Sequence, residues 1–254
     1  LGFGYLTCSE HVAITPAAQP AHGGRFYDPL ATFGFLAAHT TRIRFLTYAV
    51  GLGYHHPLAI AKRYGTLDTV SGGRLVLGLG LGDSRAELDL LGLPYQGRGA
   101  RADDALRALR SALGACGPIR YAGDHYAFDG VVVDPVGGQS RLPLWIGGGT
   151  RRSLVRAVSL GDGWMPSFGL PGDRVAQLLA TVERPPGFTL VLPVVPPVDP
   201  VRDPAGTRAA LAARAALGAD VAVVSVVHAS LGEFLEQLDA LSQLAPDPSP
   251  AGRR

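Results

Sequence analysis

The segment 142–164, LPLWIGGGTRRSLVRAVSLGDGW, joins three local structures in the order that a β/α unit requires. A short apolar run (Leu144, Trp145, Ile146) stops at Gly147, Gly148 and Gly149. A helix pattern starts at once, with Thr150 as its N-cap, Leu154, Val155 and Val158 on one face and Gly161 at its end. A new strand opens at Trp164. Such a turn gathers exposed backbone N–H groups and the positive end of a helix dipole at one point, which suits a phosphate. Arg151 and Arg152 stand in the first turn, where they oppose the dipole, and an anion would relieve that conflict. The competing reading is a tight turn with no ligand, because glycine-rich turns serve many unrelated folds.

The same alternation runs through the chain and predicts a parallel sheet covered by helices. Strands are expected near Tyr5–Ser9, Ile43–Val50, Arg74–Leu81, 144–146, 164–167, Thr189–Val195 and Val221–Val227. Between them, Asp28 and Pro29 begin one helix, and Ile60, Tyr64 and Leu67 share the face of another, closed by Gly72-Gly73. Leu106, Leu109 and Leu113 mark a helix over 102–113, and further helices are expected near 173–183 and Thr207–Leu217. A last helix opens at Ser230 with Glu233 as a capping box, its stripe formed by Phe234 or Leu235, Leu238 and Leu241. Residues 119–134 read as a β-hairpin with a turn at Asp129-Gly130. A Pro/Gly-rich loop over 15–26 is expected to help cover a pocket, and 245–254 to form a flexible tail.

Seven parallel strands in 254 residues fall one short of a (β/α)8 barrel, and 1–244 are expected to form one domain. On that reading the first β/α unit is missing from this chain, and Leu1-Gly2 would end its helix. An open doubly wound sheet is the rival. It would carry a glycine-rich fingerprint after its first strand, where Glu10-His11 stands instead. GLGLGD at 78–83 imitates a dinucleotide motif, but its glycines lie within a strand.

Composition excludes several functions. The net charge of +2 shows no basic block, so nucleic acid and anionic membranes are not expected partners. No apolar run reaches the ~18 residues of a membrane span. The 2 cysteines, Cys8 and Cys116, have no paired spacing, which fits a reducing cytoplasm. No histidine or carboxylate set has metal-site spacing; His55-His56, like His39, suits a structural or surface place, and His228 is left open.

In a barrel the reactive groups gather at the C-terminal strand ends. Those ends offer Glu10-His11, Tyr48-Ala49-Val50, Gly80 to Asp83, Gly147 to Thr150, Ser167 and His228. His11 can meet a bound ring or substrate, or simply cap the strand. Asp83 is either a catalytic acid or the N-cap of a short helix over 84–90. Gly78, Gly80 and Gly82 face one way, which accommodates a ligand or a bulky neighbour such as Trp145.

SEHVAI (9–14), TTRIRFLTYAVGLGYHHPLAIAKRYGTLDTVSGGRLVLGLGLG (40–82), AFDGVVVDP (127–135) and the segment 142–164 together resemble the bacterial luciferase-like monooxygenases, especially the branch using the deazaflavin coenzyme F420. The resemblance implies an α/β fold, a TIM-type (β/α)8 barrel with a flavin or deazaflavin at its mouth, and a homodimer. It implies a non-prolyl cis peptide at Tyr48–Ala49 behind the cofactor ring. Gly147, Gly148, Gly149, Thr150 and Ser167 match positions that hold the cofactor phosphate, and Tyr48, Ala49 and Gly80 would line the ring. His11 matches a histidine near the hydride-transfer centre, with Glu10 or Asp83 as its acid/base partner. Three positions depart from the pattern. Glu10 is often Asp in relatives, Asp83 is one methylene shorter than a catalytic glutamate there, and Leu81 replaces the arginine that luciferase places on FMN phosphate. The implied activity is hydride transfer between F420 and a small organic substrate. The alternatives are an FMN-dependent monooxygenase fed by a partner flavin reductase, and a non-catalytic flavin-binding homologue.

Overall fold

The computed structural model describes residues 1–16, 25–82, 84–114 and 116–244. The chain forms two compact units. The larger comprises Gly4–Met165 with Arg184–Phe188; the smaller comprises Leu1–Phe3, Pro166–Glu183 and 189–244.

The larger unit holds β1 (Tyr5–Cys8), α1 (Pro29–His39), β2 (Arg44–Thr47), β3 (Val50–Gly51), α2 (Pro57–Val70) and β4 (Leu75–Gly80). It continues through α3 (Arg85–Leu90), α4 (Arg98–Leu113), the hairpin β5 (Ile119–Ala122) and β6 (Ala127–Val131), β7 (Leu144–Gly147), α5 (Arg151–Leu160) and β8 (Gly163–Met165). Its main sheet is parallel in the order β1-β2-β4-β7-β8, with β3 also on β4. Every strand of that sheet therefore ends at the same edge. The first five residues of β4 are buried, as a strand covered on both faces must be. Phe33, Phe45, Leu46, Leu77, Leu79 and Trp164 are fully buried, each side chain stabilising by roughly 1.5–3 kcal/mol or more.

The expected strand 43–50 is split. Leu46 pairs with Val76 and Val50 with Leu79, so one extra residue separates β2 from β3. The Tyr48–Ala49 peptide within this bulge is cis, as the resemblance implied.

The smaller unit holds α6 (Gly172–Leu179), β9 (Thr189–Val198), α7 (Pro204–Ala216), β10 (Val221–Val226) and α8 (Leu231–Leu244). β9 and β10 are parallel, and Val194, Val198, Val226 and Leu241 form its core, with Phe234 against them. Leu235 is exposed, so Phe234 is the first member of the α8 stripe.

Caps fall where the residue types require. Asp28 accepts from Ala31 N–H at 2.8 Å, and Ser84 from Glu87 N–H at 3.2 Å, which makes Ser84 the N-cap of α3. The sequence reading also errs at the hairpin and on α5. The hairpin turns at 123–126, not at Asp129-Gly130. Asp104 on α4 accepts from the N–H groups of His125 (2.7 Å) and Tyr126 (3.0 Å), and Gly123 N–H reaches Tyr126 O at 2.9 Å. The positive φ of Gly130, 64°, instead serves a bulge in β6. On α5, Val155 faces outward, and the buried face is Ser153, Leu154, Arg156 and Ala157. Arg156 takes that place because Asp103 of α4 accepts its Nε and Gly99 O its Nη2 (3.2 Å), which satisfies the buried cation.

Candidate active site

The C-terminal edge of the larger sheet carries a group of polar side chains around one carboxylate. Glu87, on the short helix α3, is 1% exposed. Its Oε1 accepts from the N–H groups of Val12 (2.6 Å) and Ala13 (3.2 Å). Its Oε2 lies 3.0 Å from His11 Nδ1 and accepts from the Tyr54 hydroxyl at 2.8 Å. Burial alone would raise this carboxyl, but His11, Tyr54 and the Ala13 and Val12 amides outweigh it and hold Glu87 below its ordinary pKa. It is an ionised acceptor at neutral pH. The His11 ring, partly exposed, packs against Phe26 with centroids 4.4 Å apart.

The glycines of GLGYHH and GLGLG have a local cause. A Cβ on Gly51 would lie 2.5 Å from the Tyr54 ring, and one on Gly82, whose φ is +76°, 2.9 Å from it. These two glycines clear the space that lets the Tyr54 hydroxyl reach Glu87. Gly78 is glycine for another reason: its Cβ would sit 1.9 Å from Thr47 O, while the Thr47 hydroxyl donates to Gly78 O and accepts from Gly78 N–H, both at 2.8 Å. The neighbour that excludes a side chain there is the β2 backbone, not Trp145. Among the described residues, the Cβ at Gly80 would meet only Ala49 Cβ, at 3.6 Å, so this stretch of rim has room.

Glu10 is differently occupied. Its Oε2 accepts from Gly51 N–H at 2.8 Å and its Oε1 lies 2.8 Å from His55 Nε2. Both oxygens thus tie the loop after β1 to β3 and the following loop. His56 caps α2 through Nδ1 on Leu58 N–H at 3.2 Å and meets the Tyr126 ring edge-on. His39 packs on Phe35, and His228, in the smaller unit, lies 3.0 Å from Val226 O through Nδ1. Tyr48 is 8% exposed, and burial pushes its phenol above the ordinary value, so it is neutral.

On the same edge, β7 ends in the triple-glycine turn. Gly148, with φ +131°, donates to Met165 O at 3.1 Å, and its carbonyl accepts from Trp164 Nε1 at 2.9 Å. The buried indole of β8 thereby fixes the turn. Thr150 caps α5 on Ser153 N–H at 3.2 Å, and Ser153 Oγ accepts from Thr150 N–H at 3.1 Å. The first-turn N–H groups of Arg151 and Arg152 have no acceptor among the described residues, and both arginine side chains are exposed. Three inter-strand steps of ~4.8 Å separate β1 from β7, so roughly 14 Å of sheet edge spans the two features.

Of the sequence candidates, Glu10, His11, Tyr48, Ala49, Gly80 and Gly147 to Thr150 therefore share one edge of the larger unit. Ser167 belongs to the smaller unit, where its carbonyl accepts from Leu170 N–H at 3.2 Å. Asp83 lies outside the described residues, as does most of the loop expected over 15–26 and the tail 245–254. Glu87 was not among the candidates. S-x-x-E at 84–87 reads as a capping box, in which the glutamate turns back to its own helix; here it turns outward to His11. Among the described residues no group of three or more His, Cys, Asp or Glu could hold a metal ion, and no helix is long and apolar enough to cross a membrane.

The family model for luciferase-like monooxygenases matches residues 1–245. The chain belongs to that family. A protein of Mycobacterium tuberculosis (strain ATCC 25618 / H37Rv) called uncharacterised is 31% identical over 169 residues, 64% of this chain and 55% of its own. A second protein of that organism, named as a coenzyme F420-dependent oxidoreductase, is 29% identical over 162 residues, 59% of this chain and 46% of its own. The chain thus spans about half the length of these curated relatives. The crystal structure of the monooxygenase RslO1 from Streptomyces bottropensis matches with a TM-score of 0.80 and 20% identity, covering 95% of this chain and 87% of that one. The fold class is accordingly the α/β barrel of the luciferase-like type, within an oxidoreductase family.

Proposed function

We propose that this chain is an oxidoreductase that transfers a hydride between coenzyme F420 and a small organic substrate. The observation that carries the reading is the histidine held by a buried carboxylate at the same strand edge as an arginine-flanked helix N-terminus. The local structure fits the cofactor. The turn 147–150 with the N–H groups of Arg151 and Arg152 would hold its phosphate, and the open rim at Ala49 and Gly80 would face its ring. Bound there, the deazaflavin would supply or accept the hydride.

The chain's own residues then have distinct work. Arg151 and Arg152 offset the phosphate charge. The His11 imidazole takes or gives the proton at the substrate oxygen whose carbon gains or loses hydride. Glu10, with both oxygens engaged, holds the loop rather than moving a proton. Tyr48 is buried and neutral, and would present an uncharged wall behind the ring. The match over residues 1–245 supports reading 1–244 as one luciferase-like domain, and the two unpaired cysteines fit a cytoplasmic setting. A homodimer follows from the family resemblance alone.

Equilibrium titration with F420 and with FMN tests the reading. Saturable F420 binding, with FMN much weaker, is the expected result. Tight FMN binding without F420 binding would replace this reading with the flavin monooxygenase, and binding of neither would overturn it.

A further inference from the structure

We propose that Glu87 is the positioning residue of His11, setting which ring nitrogen carries the proton. Its catalytic consequence rests on the oxidoreductase reading above, but the tautomer is a property of the protein alone. An ionised carboxylate only accepts hydrogen bonds. Glu87 accepts from Val12 N–H, Ala13 N–H and the Tyr54 hydroxyl, so the 3.0 Å contact to His11 Nδ1 requires a proton on Nδ1. The neutral ring is therefore the Nδ1–H tautomer. The second ring nitrogen is then the one through which protonation changes.

The arrangement is built for orientation. Two amides fix one carboxylate oxygen relative to the backbone that carries His11. The Tyr54 hydroxyl and His11 share the other, and Gly51 and Gly82 leave the space for Tyr54. Phe26 packs on the imidazole and limits its rotation. A carboxylate serving only to cap residues 12–13 needs neither the tyrosine nor the imidazole.

Glu87→Gln separates these roles. The glutamine keeps the shape and can still accept from Val12 and Ala13 through its carbonyl oxygen. Its amide then faces His11 and donates, which forces Nδ1 to accept and moves the proton to Nε2. Two-dimensional 15N–1H NMR of histidine-labelled protein, without cofactor and at a pH where the ring is neutral, distinguishes the two tautomers. The proposal expects Nδ1–H in the native chain and Nε2–H in E87Q. It also expects Tyr54→Phe to retain Nδ1–H, because the carboxylate stays. Turnover of E87Q should fall at least ~100-fold, mainly in kcat, with cofactor affinity unchanged. An Nε2–H ring in the native chain, or an unchanged tautomer in folded E87Q, overturns the proposal. If E87Q does not fold, the native and Tyr54→Phe spectra still decide it. If F420 turns out not to bind, the tautomer result stands and only its consequence for turnover fails.

Discussion

The two edges of the larger sheet solve the same problem with different partners. Each buries a carboxylate and satisfies it fully. At the N-terminal edge Asp68, fully buried, accepts from Leu75 N–H (3.2 Å), Gly138 N–H (2.8 Å), Gln139 N–H (3.1 Å) and Gln139 Nε2 (2.8 Å). Asp162 accepts from Leu144 N–H at 2.9 Å and from Arg110 and Arg141, and is held below its ordinary pKa by these donors against the cost of burial. Arg74 closes the same edge through Ser71 O, Thr40 Oγ1, Ile43 O and Ala37 O. The side chains contacting Asp68 and Arg74 are the Gln139 amide, the Thr40 and Ser71 hydroxyls and the Phe45 ring, the other partners are backbone, and none of them titrates near neutrality. At the C-terminal edge Glu87 spends part of its capacity on His11, whose ring nitrogens can each carry or accept a proton. The difference is that one edge closes on groups that hold the chain, while the other holds an imidazole.

The largest expected effect falls on the holding edge. Asp68→Ala removes a fully buried carboxylate that four hydrogen bonds share, and should cost about 3–5 kcal/mol in urea unfolding or prevent folding outright. A loss under about 1 kcal/mol would erase the contrast between the edges. His11→Ala should do the reverse, lowering turnover at least ~100-fold while moving stability by less than about 1 kcal/mol. Unchanged turnover would remove His11 from the chemistry.

Substitution of both Arg151 and Arg152 by glutamate sharpens the comparison within the working edge. Both side chains are exposed, so the fold should persist while F420 affinity falls about tenfold, some 1.4 kcal/mol. Unaltered affinity would move the anion site elsewhere. Gly148→Asp is a poorer probe, since at φ +131° its Cβ would lie 2.7 Å from Ser153 and the turn itself would be strained.

Acid should reach the working edge through Glu87. Its folded pKa lies below the ordinary 4.5. The stability it contributes is complete above 4.5 and is lost as pH falls through the depressed value. Stability measured from pH 6 to 2 should show a smaller acid-induced loss in E87Q than in the native chain; equal losses would mean that Glu87 does not titrate as described. The smallest effect is expected at Val155→Ser, within about 0.5 kcal/mol, because that side chain faces outward.

How far the sequence could be read follows the same division. Repeating apolar strands and helix caps are local signals, so the alternation, Asp28-Pro29, Thr150 and Gly161 are visible without a structure. The long motif 40–82 carries much of the family resemblance, yet Asp68, Ser71 and Arg74 within it serve the holding edge. Glu87 was hidden because its partner lies 76 residues away, while its spacing from Ser84 imitates an ordinary cap. Arg156 displaced Val155 from the buried face for a similar reason: Asp103 on another helix neutralises it, and no periodicity within α5 reveals that. The hairpin turn was misplaced because Asp129-Gly130 is a good turn dipeptide, whereas Asp104 on α4 selects 123–126.

The central claim is that His11 and the triple-glycine turn serve one bound cofactor. NMR titration with F420 tests it directly, following the His11 ring nitrogens and the Arg151 and Arg152 amides in the same sample. Both sets of signals should shift along one binding curve. Movement at only one of the two, or at neither, would contradict the account.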